Sequence, residues 1–280
     1  MKFLQSPRAA ALTLSILVIC YAATGTARAD AVVFSSSGAN AGAIQPTVDS
    51  FRSTLGNPVN GNAPGPLDAG RREINWDGGG SLLTAPGANP FLVFHASRGA
   101  FITTPGTGFV QANNADLDTF FGNATYSETN FPTFSPVRLF SAVGSNITDV
   151  TFSLPGSTTI PASVAGFGSV FSDVDVLGST TLQFFSTNGT SLGTFSVAAF
   201  NNGLSFLGVA FDAGERIGRV RITSGNVAPG VNDGPSSDVV MMDDFIYSEP
   251  RPVPEPATMV LLGSGLLGVA AKIKRRRRKE

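Results

Sequence analysis

The sequence predicts an all-β fold, an antiparallel β-sandwich or jelly roll, on three observations. Between residues 30 and 250 the chain is rich in Gly, Ser, Thr, Phe and Val, and poor in the Leu, Lys and Glu that sustain helices. Its second half breaks into short strand-like runs separated by turn-forming residues. Asn188-Gly189, between two of those runs, is the sharpest hairpin signal, since both residues accept positive φ in a type I′ turn. A stretch of about 220 residues fits one large β domain, and no repeat of fixed period stands out in it.

In chain order, Lys2 and Arg8 precede the apolar run Ala9 to Ala23, and Ala27-Arg28-Ala29 supplies the alternating small residues that signal peptidase needs. Residues 1–29 therefore read as a signal peptide, with the mature chain starting at Asp30. The only cysteine, Cys20, falls inside the removed segment. Val18-Ile19 before it is bulky where lipid-attachment motifs carry small residues, so Cys20 is not read as an anchor. The mature protein is left with neither disulfide nor thiol nucleophile. From Asp30 to Pro250 there are 18 acids, 8 arginines and no lysine, a formal charge of −10 against −1 for the whole chain. Such a surface disfavours phosphate backbones, which argues against a nucleic-acid partner, and suits solubility or divalent cations.

The stretch from Asp30 to Gly65 reads as looser, with one short helix, Gln45 to Leu55, that places Val48, Phe51, Arg52 and Leu55 near one face and ends at Gly56-Asn57-Pro58. Asn60 to Pro66 is a loop on composition. Gly70 to Gly78 contains the only tryptophan, Trp76; it reads as a strand with Ile74 and Trp76 on one face and Asp77-Gly78 as a turn, against a sugar-contacting or cation-binding loop. Phe91 to His95 and Ala100 to Thr104 read as short strands around Ser97-Arg98-Gly99. His95 is the only histidine and has no second histidine to share a zinc ion, nor is there a Gly-x-Ser-x-Gly elbow, so it reads as a satisfied, partly buried residue. Phe109 to Pro136 reads as a long loop that Phe120, Phe121, Tyr126, Phe131 and Phe134 pin to the core.

Beyond it, the strand-like runs are Arg138 to Val143, Asp149 to Leu154, Ser163 to Phe171, Thr180 to Ser186, Gly193 to Ala199, Ser205 to Phe211, Arg219 to Thr223 and Val239 to Tyr247. Alternation is clearest in Val220 and Ile222 and in Phe206, Gly208 and Ala210; the other runs are too apolar to show one wet face. Two packed antiparallel sheets suit that pattern. Asp173 and Asp175 are two apart on a predicted strand, hence on one face, while Asp243-Asp244 lie on the last strand and Asn232-Asp233-Gly234 in the loop before it. Hard oxygen ligands at strand ends suit calcium, so Asp173, Asp175, Asp243 and Asp244 are candidate calcium ligands, set against solvated acids at edges and turns. This half resembles jelly-roll sugar-binding modules, which commonly place a structural calcium at such a position.

The end of the chain reads as an address. Val253-Pro254-Glu255-Pro256 is followed by the apolar run Ala257 to Ala271, then Lys272, Lys274 and the block Arg275, Arg276, Arg277, Arg278. An apolar run of about 15 residues makes a helix of roughly 22 Å, which spans a bilayer if its flanking lysines snorkel. With Ser264 the one polar residue of Met259 to Ala270, spanning is favoured over a basic amphipathic tail, and the arginines should halt export with the tail inside. This order of elements resembles the PEP-CTERM sorting signal of bacterial exported proteins, read by membrane enzymes called exosortases. By that resemblance Val253, Pro254, Glu255 and Pro256 are the recognition motif. The chain divides accordingly into a signal peptide (1–29), an exported β domain (30–250) and a sorting signal (251–280). Arg71 to Gly78, Gly166-Phe167-Gly168 to Asp175, Leu204 to Gly208, Arg219 to Ile222 and Asp243-Asp244-Phe245 are also similar to an uncharacterised family of PEP-CTERM proteins, without an established activity.

The sequence thus points to an exported surface or extracellular-matrix protein, anchored by its C-terminal helix while an exosortase-like enzyme processes it, with a non-enzymatic structural or interaction role. The competing class is a carbohydrate-binding or adhesive module with exopolysaccharide as partner and calcium as its one cofactor. A secreted hydrolase lacks a recognisable catalytic set.

Overall fold

The computed structural model describes residues 31–78, 83–87 and 89–253, together with residue 265. The predicted signal peptide with its cleavage residues Ala27, Ala29 and Asp30 lies outside them, as do Pro254, Glu255, Pro256 and Arg275 to Arg278. Among the described residues no helix is long and apolar enough to cross a membrane; of the helix expected at 257–271 only residue 265 is among them.

The described residues are mostly strand, in two antiparallel sheets. The first runs in space as β1 (Ala31–Gly38), β12 (Phe200–Phe211), β9 (Gly166–Val174), β14 (Met241–Ser248), β6 (Arg138–Val143), β5 (Gly108–Asn113) and β3 (Leu83–Gly87), with β2 (Arg71–Ile74) also on β14. The second runs as β11 (Ser191–Ser196), β10 (Thr181–Ser186), β13 (Ile217–Thr223), β7 (Ile147–Ser153), β8 (Pro161–Ser163) and β15 (Arg251–Pro252), with β4 (Ala100–Thr103) on β7. Three helices join them: α1 (Ala41–Leu55), α2 (His95–Arg98) and α3 (Leu117–Phe121).

Side chains of both sheets meet in one core that includes Phe109, Phe140, Phe167, Phe171 and Phe245 from the first and Val150, Leu182, Phe184, Val220 and Ile222 from the second. The second sheet keeps a wet face. On β13, Val220 and Ile222 point into the core, while Arg219 and Arg221 point out and both pair with Asp149 of β7, Arg221 through two bonds of 3.0 and 2.7 Å. That is ordinary period-two alternation.

The first sheet has no such wet face over its middle strands, where every residue of β9 and β14 is buried. Alternate residues on its far side, Val170, Leu204, Phe206, Ala210 and Ile246, pack under α1. The helix starts where the Asn40 side chain accepts the Ala43 N–H (3.3 Å), and stops at Gly56. Ile44, Val48 and Phe51 recur along its one buried stripe. Further along the same sheet, Leu117 of α3 and the loop residues Tyr126 and Phe131 cover Val110, Ala112, Leu139 and Met241 in a third cluster.

β14 carries a bulge that settles its side-chain directions. Met242 pairs with Phe171 and Phe245 with Ser169, so Asp243 and Asp244 together oppose the single residue Val170. Val240 and Met242 before the bulge, and Phe245 and Tyr247 after it, therefore all face the main core despite their change of parity. The strand's other neighbour changes at the same place, from Phe140 of β6 to Ile74 of β2.

Several expectations are corrected. The looser beginning contains β1, paired with β12 over eight residues, and α1 starts four residues before Gln45. His95 begins a helical turn rather than ending a strand. The expected loop from Phe109 contains β5 and α3, although its aromatic residues do pin the remainder to the sheet. The β10–β11 hairpin forms at Asn188-Gly189, but Gly189 alone takes positive φ (86°), and its N–H closes the turn on Ser186 O (3.0 Å). Thr187 and Asn188 are then the central residues, with a left-handed glycine after them, in place of a two-residue type I′ turn.

Candidate metal centre

β9 ends in an acidic corner. Opposite the single residue Asp173, β12 carries three residues, 201–203, since the register passes from Leu204 facing Ser172 to Phe200 facing Val174. The inserted Asn202 donates its N–H to Asp173 Oδ1 at 2.6 Å. Asp173 sits in the left-handed region (φ 69°) and is 1% exposed, and its second oxygen, Oδ2, is buried with no hydrogen-bond partner. Asp175 Oδ1 is likewise without one.

The loop before β14 folds back onto this corner. Asn226 N–H donates to Asp238 O (3.0 Å), Asp238 N–H donates to Asn226 Oδ1 (2.9 Å), and Val239 N–H donates to Asp233 Oδ1 (2.8 Å). Asp233 is thereby brought to Asp173 and Asp175, with one carboxylate oxygen of each within 4.8 Å of the others. Asp238, fully buried, accepts the N–H groups of Asp175 (3.0 Å) and Val176 (3.3 Å) and the hydroxyl of Ser179, which fixes the turn that carries Asp175. Among the described residues no arginine pairs with any of these four acids. Burial first, and then the neighbouring carboxylates, push Asp173 up to about 8 and Asp175 up to about 6.

Asp243 and Asp244 are elsewhere, so the four predicted calcium ligands do not form one site. The bulge turns both acids toward the loop ahead of β6. Phe134 N–H donates to Asp243 Oδ2 (2.6 Å), Ser135 Oγ lies 3.2 Å from Asp243 Oδ1 and 2.7 Å from Asp244 Oδ1, and Arg52 of α1 reaches Asp244 Oδ2 at 3.6 Å. Arg52 also holds Glu73 of β2 (2.9 Å) and lies over the Phe134 ring. With Asn75 and Arg98 these residues line an open cleft of about 380 Å³. Burial, and next the charge of Asp244, raise Asp243 well above the usual carboxylate range.

Sequence reasoning placed Asp233 in a loop near the last strand without joining it to Asp173 and Asp175; the Asn-Asp-Gly turn chemistry was the available signal. Trp76 is fully buried, stacked on Phe140 at 3.8 Å, with Nε1 donating to Asp243 O (2.8 Å). It is therefore not a surface for sugar stacking. It does share the core with Ile74, although β2 ends at Ile74 and Trp76 has positive φ (63°). His95 is half-buried, edge-on to Phe101 at 5.0 Å, and burial lowers its pKa.

The sorting motif emerges from the second sheet. Arg251 and Pro252 of β15 pair with Ser163 and Ala162 of β8, and Val253 N–H donates to Pro161 O at 3.0 Å. No match was found among curated proteins or among solved structures. Residues 252–278 match the family model of the PEP-CTERM protein-sorting motif, so this chain carries a PEP-CTERM sorting signal that begins inside β15.

Proposed function

We propose that the chain is an exported surface or extracellular-matrix protein whose β domain has a structural or interaction role without catalysis, delivered through processing by an exosortase-like enzyme. The observation that carries this reading is the sorting motif at residues 252–278, directly continuous with the last strand of the domain. The motif implies export and processing at a membrane.

The non-catalytic part is supported by how the acids beside the cleft are used. Glu73 is held by Arg52 and by Arg71 (2.6 Å), and Asp244 by Ser135 and Arg52. These carboxylates are committed to ion pairs and hydrogen bonds. The burial of Trp76 removes the aromatic platform on which a sugar-binding reading would rest, which favours the structural reading over the carbohydrate-binding one.

Deleting residues 254–280 tests the address. The shortened chain should leave the membrane fraction and appear as soluble protein in the periplasm or medium, as read by fractionation and immunoblotting. Retention equal to that of the full chain would overturn the reading.

A further inference from the structure

We propose that Asp173, Asp175 and Asp233 form a binding site for one divalent cation of the calcium class, which fastens the loop ahead of β14 to the end of β9. The proposal is independent of how the chain is sorted.

Three observations carry it. One oxygen from each carboxylate lies within 4.8 Å of the others, the span across an ion whose ligands stand at about 2.4 Å. Asp173 Oδ2 is buried and unpartnered in a side chain whose other oxygen is already taken by Asn202 N–H; an unpaired carboxylate oxygen of this kind is costly without a cation or proton. The third is the absence of an arginine partner among the described residues, while Asp238 beside the cluster adds negative charge and is itself satisfied by backbone N–H groups and Ser179. An ion would resolve all three.

The donor set selects the ion. Every donor is a carboxylate oxygen, with neither thiolate nor imidazole, which points to a hard cation. Calcium takes about six to eight oxygens at roughly 2.3–2.6 Å in flexible geometry, with water free to complete the shell, whereas magnesium requires about 2.1 Å and a near-ideal octahedron. A site drawn from a strand end and a separate loop suits the former. Bound there, the ion ties Asp233 to Asp173 and Asp175 and closes the loop that Asp238 and Asn226 begin to order.

The test uses the full chain, purified in detergent and stripped with chelator, with calcium chloride as probe. Titration calorimetry should show one equivalent bound, and a hundredfold excess over Kd should raise Tm by about 5–10 °C, with a smaller rise from magnesium. Asp233→Asn keeps an oxygen for Val239 N–H, so the stripped variant should melt no lower than the stripped wild type while losing the calcium-dependent rise. Asp173→Asn should lose it as well, and Asp243→Asn should keep it. Coincident melting curves with calcium and with chelator would overturn the proposal. So would an Asp233→Asn chain that retains the rise, or a magnesium effect equal to that of calcium.

Discussion

The ring of Phe51 on α1 lies against the backbone of Gly208 on β12 so closely that a Cβ built on that glycine would come within 2.8 Å of the ring. Gly168, the residue paired with Gly208 across β9, leaves the same ring equally little room, at 2.9 Å. The two glycines form a smooth floor for one aromatic ring, and α1 approaches the sheet through them.

Gly208→Ala should therefore lift the helix or tilt the ring, at a cost of about 1–3 kcal/mol. The cost should shrink but not vanish when Phe51→Leu is made in the same chain, because the new Cβ would meet the Phe51 ring at 2.8 Å and the Phe206 ring at 2.9 Å. Denaturant unfolding of the single and double variants measures this coupling, and equal costs in both backgrounds would refute it.

Arg72 and Glu249 form a buried two-pronged pair, Nε to Oε2 and Nη2 to Oε1, both at 2.7 Å. Arg72 Nη1 also reaches Gly61 O (2.8 Å) and Ala63 O (2.7 Å), while Glu249 accepts from Asn60 (2.8 Å) and Leu67 N–H (3.2 Å). Glu249→Gln leaves a buried guanidinium uncompensated and should cost about 3–5 kcal/mol at neutral pH. Burial alone would raise the Glu249 pKa, but the bonds from Arg72, Asn60 and Leu67 outweigh it and hold it below 4.5. The pair's stability is thus present above that value and lost as pH falls through the lowered native pKa. Melting curves from pH 6 to pH 3 should show a smaller acid-side loss in Glu249→Gln than in the wild type.

Asp243 has the opposite sign. Its pKa is raised in the folded chain, by burial and then by Asp244, with Phe134 N–H and Ser135 bonds opposing, so the native state holds a proton that the unfolded chain releases above about pH 4. Its contribution is full at acid pH and declines as pH rises toward the native pKa. The groups that face it are Phe134 N–H, Ser135 and Asp244, with Arg52 on the far side of Asp244 and Glu73 beyond it. Asp243→Asn can accept from Phe134 N–H and donate to Ser135 Oγ, so it should melt progressively higher than the wild type between pH 5 and pH 8. A constant difference across that range would count against a protonated Asp243.

Much of the second half was legible because its turn chemistry is local. Arg138–Val143 is bounded as the sequence places it, and Thr181–Ser186 and Ile217–Thr223 differ by only a residue or two. The apolar strands that showed no wet face lacked one because α1 and the 109–136 region cover the far side of the first sheet. β1 was missed because Ser35-Ser36-Ser37-Gly38 carries weak strand propensity, and its pairing with β12 supplies what the residues do not. The metal centre was half legible. Asp173 and Asp175 do converge, as their spacing of two suggests, whereas Asp243-Asp244 is a bulge that turns both acids to another site. The Asn-Asp-Gly turn marks Asp233 as a loop residue, but the closure that brings it to Asp173 and Asp175 is made with residues distant in sequence.

The two-residue β15 also acts as a mechanical joint. It is the outermost strand of the second sheet, held by its pairing with β8 and by the bond from Val253 N–H to Pro161 O. Pro252 has no N–H to contribute. Tension applied to the chain beyond residue 253 is borne first by these few bonds and by Arg251 Nη2 to Asp68 O, and then by the buried Arg72–Glu249 pair, before it reaches the fully buried β14. A pull on the sorting signal would therefore lengthen the tether by the short stretch 250–253 before it strained the Arg72–Glu249 pair and the core, so the domain carries its own slack.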